Sequence, residues 1–153
     1  MITRPTTDAL ILDCCRELTE AILPALTDET LRLRLVMTET VLRNAAVRAA
    51  HEVAWMRAET AEIESYAQAV AGQAPGAGSL RAALKALADA PRDSLHLDDV
   101  VETYCRAGNA LSAALETAVA GSLTGLVRRG EEILGTRDGH ETEVMAGWSP
   151  TGR

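Results

Sequence analysis

"DETLRLRLVMTETVLRNAAVRAAHEVAWMRAETAEIESYAQAV", residues 28–70, contains neither glycine nor proline. Apolar or small residues recur in it at Leu31, Leu35, Thr38, Leu42, Ala45, Ala49, Val53, Met56, Thr60, Ile63, Ala67 and Val70. The steps alternate between three and four, apart from two successive fours at 45–49–53. That is the period of a helix and not of a strand. The segment reads as one amphipathic helix of roughly 60 Å at ~1.5 Å per residue. A second apolar line through Val36 or Met37, Val41, Val47, Ala50 and Ala54 predicts burial on more than one side. Glu39–Arg43 and Arg48–Glu52 are spaced to pair outward at i,i+4.

The segments on either side follow the same period. A first helix is expected from Thr6 or Thr7, carrying Leu10, Cys14, Leu18, Ala21 and Ala25, with Ile11, Cys15 and Ile22 widening the stripe. Pro24 should bend or end it, because proline removes a donor and disfavours helical geometry at Leu23. Thr27 is the expected cap of the long helix. "AGQAPGAG", 71–78, is a linker by composition, and Ser79 would cap a short helix facing inward through Leu80, Leu84 and Leu87. From about Leu95 to Val119 a further helix places Leu97, Val101, Tyr104, Gly108, Leu111, Leu115 and Ala118 on one seam, with Gly108 inviting a close helix approach. "GSLTGLVRRGEEIL" is a last, weaker helix. The expected organisation is an all-α, antiparallel bundle of four to five helices over 1–134, with a flexible tail from 135 to 153 unless Trp148 docks.

Composition supports this and narrows the function. The 153 residues include no Phe and only 3% aromatics, so alanine and leucine supply most of the 47% apolar fraction, as helices prefer. A net charge of −7 without a Lys/Arg cluster is a poor match for a phosphate backbone, so no nucleic-acid partner is expected. No apolar run approaches the ~20 residues of a membrane span, and no leader-like start is present, so a cytoplasmic protein is expected. Cys14, Cys15 and Cys105 form neither a C-x-x-C nor a plausible disulfide set and read as core thiols.

No reaction is announced by the motifs. His51-Glu52 begins like a zinc-protease helix, yet position 55 holds Trp55 where the second histidine belongs. Adjacent residues lie about 100° apart on a helix, so the two cannot serve one ion. Glu59 and Glu62 have no histidine at ligand spacing, and no glycine-rich phosphate loop follows a strand. Neither a catalytic residue, a metal nor a cofactor is called for. The polar residues that draw interest are Arg32, Arg34, Arg43 and Asn44 together with His51 and Trp55, the last two sharing a face at i,i+4. Arginine and tryptophan are the usual anchors of protein interfaces. A solvated face is the simpler reading of the arginines, and second-layer core that of Trp55.

The opening Arg4-Pro5-Thr6, then Arg16-Glu17, Leu23-Pro24-Ala25-Leu26 and Arg32/Arg34 through Asn44, resembles the start of a small bacterial helical family, over about the first 45 residues. Members of that family look like companions of kinases with the aminoglycoside-phosphotransferase fold. Those kinases work beside acyl-CoA dehydrogenases in levulinate-type catabolism, where a hydroxyacyl-CoA is phosphorylated so that its hydroxyl can leave. The resemblance implies a non-catalytic accessory subunit that meets the kinase through Arg32, Arg34, Arg43 and Asn44. The alternative from the residues is a self-associating helical small-molecule-binding protein or enzyme, with an interhelical pocket near His51, Trp55, Tyr104 and Cys105. A homodimer burying the long helix against its copy is a third reading.

Overall fold

A helix without breakers from 28 to 70 has little choice but to run through, and it does. The computed structural model describes residues 4–145 and places one α-helix, α3, over Glu29–Gln73. Before it lie α1 (Thr7–Glu17), a π-helical turn (Leu18–Ile22) and α2 (Leu23–Ala25). After it come α4 (Gly78–Ala88), α5 (Leu97–Ala120) and α6 (Thr124–Met145). The described residues contain no strand, and the chain is an all-α helical bundle. None of their helices is long and apolar enough to cross a membrane.

Pro24 does not break the first helix at Leu23, which keeps helical torsions of −56° and −42°. The wider π turn just before it gives the proline ring the room that the preceding carbonyls would otherwise deny. The cap of α3 is Asp28 and not Thr27: its Oδ1 accepts the backbone N–H groups of Thr30 (2.8 Å) and Leu31 (3.1 Å). Ser79 is not a cap either, since α4 already includes Gly78 and has Ala77 before it. The linker shrinks accordingly, because α3 carries on through Ala71, Gly72 and Gln73.

The chain forms two compact units, Met1–Glu52 with His140–Arg153, and Val53–Gly139. The second holds the principal core. Ile63, Tyr66, Ala67 and Val70 of α3 meet Leu80 and Leu87 of α4, Ala107, Ala110, Leu111, Ala114 and Ala118 of α5, and Ile133 of α6. The α5 seam keeps Leu111 and Ala118 as expected, and its first half is turned by one residue. Val100, Thr103 and Ala107 face inward, while Leu97 and Val101 are exposed. Alanines on the inner face let helices approach closely, and the close approach occurs at Gly130 instead of Gly108. A Cβ on Gly130 would sit 2.8 Å from the Tyr66 hydroxyl and inside the contact distance of Leu115, whereas one on Gly108 would meet nothing within 4 Å.

In the first unit, α1 is rotated in the same way: Cys15 is buried while Leu10 and Cys14 are exposed. The Cys15 thiol lies 3.8 Å from the Glu39 carbonyl oxygen, toward which it donates, and burial pushes its pKa up. Cys105, expected in the core, is exposed. The last helix also outruns its expected end at Leu134, continuing to Met145. Trp148 lies outside the described residues.

Candidate functional site

Three of the six residues singled out in the sequence converge. Arg43, Asn44 and His51 line one cleft of about 350 Å³ in the first unit, with Asp8 and Leu12 of α1, Ala46, Val47 and Ala50 of α3, and Glu143 of α6. Residues 43, 46, 47 and 50 recur at helical steps, so α3 presents them as one wall, and the small alanines leave the space open. Arg43 is anchored by an ion pair to the buried Glu39 one turn earlier. Asn44 has its Oδ1 shut off from solvent without a donor among the described residues. Asp8 has its pKa lowered, first by a hydrogen bond from the Thr6 hydroxyl. That bond explains why Thr6 precedes α1 without capping it.

The remaining candidates go elsewhere. Arg32 donates from Nη1 to the carbonyl oxygens of Leu23 and Leu26, both at 3.1 Å, closing off the end of α2. These bonds fasten the turn into α3. Arg34 is exposed. Trp55 is half-buried and belongs to the second unit, as Tyr104 does. Neither lines this cleft.

The second unit carries a cluster that spacing alone does not reveal. Glu59, only 5% exposed, accepts a 2.5 Å hydrogen bond from the Tyr104 hydroxyl. Arg137 donates from Nε to that same hydroxyl at 2.8 Å, and its Nε lies 3.4 Å from Glu59 Oε2. The guanidinium also sits over the Tyr104 ring, 5.1 Å from its centroid. Burial and the bond to Glu59 push the Tyr104 pKa up to about 12. The phenol is thus a fixed, neutral donor. It holds a carboxylate and a guanidinium together and binds α3, α5 and α6 to one another. This attachment is the physical reason that α6 stays helical past Leu134: Arg137 is drawn inward where a mobile tail was expected. The sequence placed Tyr104 on an apolar seam and near an interhelical pocket, but no spacing tied it to Glu59 or Arg137.

A smaller cleft of about 140 Å³ in the same unit is lined by Arg57, Thr60, Glu64, Arg92, Ser94 and Thr103, among others. Arg92 grips Glu64 with both arms, at 2.8 and 3.0 Å, and Arg57 donates to the Ser94 carbonyl at 3.3 Å. These contacts fasten the segment before α5 onto α3. Among the described residues no three His, Cys, Asp or Glu side chains gather as a metal site requires. Compared with protein-family models, curated proteins and solved structures, the chain matches none.

Proposed function

We propose that the chain is a non-catalytic accessory subunit of an aminoglycoside-phosphotransferase-like kinase that acts on a hydroxyacyl-CoA or a related hydroxy acid. The observation that carries the reading is the convergence of Arg43, Asn44 and His51 on one apolar-walled cleft. Arg43 and Asn44 close the stretch whose sequence resembles kinase companions. The cleft offers a docking groove with a polar edge, in which a positioned guanidinium and an imidazole flank apolar wall. Its Asn44 oxygen meets no donor among the described residues, and a buried acceptor left unsatisfied costs roughly 1–3 kcal/mol. A turn of that amide toward the cleft would let a partner's N–H satisfy it. The kinase would supply the nucleotide chemistry, and this chain would stabilise it or shape its acyl-CoA pocket.

The experiment is co-expression with a kinase of the aminoglycoside-phosphotransferase fold from the same organism, followed by affinity purification and an assay of hydroxyacyl-CoA phosphorylation. Co-purification and a gain in kinase turnover are expected, both lost in Arg34→Glu/Arg43→Glu. A kinase that works at full rate without this chain and never co-purifies overturns the reading. Turnover of a metabolite by the isolated chain overturns it too.

A further inference from the structure

The small cleft of the second unit holds polar groups that its neighbours do not use up. From α3 come Arg57, Thr60 and Glu64, at i, i+3 and i+7 and so on one face. The connection into α5 contributes Arg92 and Ser94, and α5 itself contributes the buried Thr103. At about 140 Å³ the cleft is well below the ~300 Å³ at which drug-sized pockets begin, so it has room for one small group. Two arginines against one glutamate leave its lining with a positive charge, in a chain whose net charge is −7. Arg92 and Glu64 cancel each other in their two-armed pair, so the surplus is Arg57. Arg57 spends one arm on the Ser94 carbonyl and meets no carboxylate among the described residues. Two hydroxyls stand with it. The Ser94 Oγ accepts the His96 backbone N–H at 3.1 Å, which leaves its own proton to donate. The Thr60 hydroxyl makes no hydrogen bond among the described residues. Thr103, by contrast, spends its proton on the Asp99 carbonyl at 2.8 Å.

We propose that this cleft binds a phosphate group, either inorganic phosphate or the phosphate of a small monoester, through Arg57, Thr60 and Ser94. The number of donors decides the class of ligand. A terminal phosphate presents three strong acceptor oxygens, and here three side chains from two elements have protons to give. Guanidinium is the cation best matched to phosphate, because its planar fork meets two oxygens at once. A carboxylate has two oxygens in one plane and leaves a donor over. A bound phosphate would add a third tie between α3 and the connection into α5, beside those of Arg92 to Glu64 and Arg57 to Ser94. The kinase reading concerns the cleft of the first unit, and this binding stands apart from it.

Isothermal titration of the full chain with inorganic phosphate, and separately with methyl phosphate, tests it at constant ionic strength. Saturable binding at one site per chain is expected. Thr60→Val, nearly the same shape without the donor, should weaken it about tenfold, as the loss of a hydrogen bond to a charged group does. Ser94→Ala should do the same, and Arg57→Gln should cost more. Arg57→Lys, which keeps the charge and loses the fork, should fall between Arg57→Gln and the wild type. Arg128→Gln, at an exposed arginine of the same unit, should bind like the wild type. Circular dichroism checks that each variant is folded, and Thr60→Val carries the test if Arg57→Gln is not. Phosphate should also shift the backbone amide resonances of 92–96 and leave those of 43–51 in place. Tighter binding of methyl phosphate assigns the site to a monoester, and tighter binding of phosphate assigns it to the free ion. Failure of both to saturate overturns the proposal. So does acetate binding as tightly as phosphate, or full affinity in Thr60→Val.

Discussion

Gly130→Ala adds one methyl group at the place where α6 comes closest to α3 and α5. Two effects of opposite sign compete. Alanine is better than glycine inside a helix by ~1 kcal/mol, which favours the variant. Against this, the new Cβ would lie 2.8 Å from the Tyr66 hydroxyl oxygen and 3.1 Å from its Cζ, and would collide with a methyl of Leu115. Leu115 can rotate away. Tyr66 is fully buried, and its ring has nowhere to go without moving a helix. Overfilling a packed core costs ~1–3 kcal/mol, so a net destabilisation of about 1 kcal/mol is expected, with a drop in melting temperature of roughly 2–4 °C for a chain of this length. Gly135→Ala is the matched control: it lies in the same helix, with nothing within 4 Å of its Cβ. It should stabilise by up to ~1 kcal/mol. Subtracting one from the other removes the propensity term and isolates the packing term, measured by urea unfolding followed by circular dichroism. A Tyr66→Phe background refines the test, because the Tyr66 hydroxyl has no hydrogen-bond partner among the described residues and its removal loses none there. There the penalty of Gly130→Ala should shrink, a coupling expected only between residues in contact. Equal effects of alanine at 130 and 135 would refute the reasoning, since α6 would then not touch the core at Gly130.

Other substitutions probe other elements. Asp28→Ala removes the acceptor for the Thr30 and Leu31 N–H groups and should cost ~1 kcal/mol, while Thr27→Ala should cost little; thermal melts of both decide which residue caps α3. Ser122 holds a positive φ of 52° in the turn between α5 and α6, so Ser122→Gly should raise the melting temperature slightly, by relief of ~1 kcal/mol or less. Tyr104 ionises near 12 in the folded chain and near 10 once unfolded. The folded state thus keeps a proton that the unfolded state loses, so this contribution is complete below pH 10 and disappears as the pH rises toward 12. Absorbance titration of the tyrosinate should show Tyr104 late, and Tyr104→Phe should flatten the alkaline fall in stability.

The long helix, the all-α class and the absence of strands were legible because they rest on what is missing, namely breakers between 28 and 70, and on a period that only a helix satisfies. The rotation of α1 and α5 about their axes was not. Cys14 and Cys15, or Val100 and Val101, are neighbours of similar character, so two stripes one residue apart satisfy the same period, and only packing partners from distant sequence choose between them. Gly108 and Gly130 make the same point. Each is a glycine in a helix, and only the position of Tyr66, 64 residues before Gly130, makes one of them indispensable.

The site divides along a similar line. Arg43, Asn44 and His51 could be picked out because one helix carries all three, and a single periodic element fixes their mutual placement. Arg32 looked equivalent to Arg34, but its partners are carbonyls released where α2 ends, and the length of the π turn that puts them there is no simple function of composition. Glu59 and Arg137 escaped, and Tyr104 was picked out without them, since each of the three comes from a different helix. Polar residues that face inward from separate elements become a network only when the apolar residues around them have already set the helix positions. The same logic bears on Leu33, Met37 and Val41. The second apolar line on α3 predicted burial on more than one side, and a single chain buries one. Periodicity marks which faces of a helix are apolar, and only its packing partners decide which are buried, so Glu39 and Ala46 are covered while Leu33, Met37 and Val41 stay exposed.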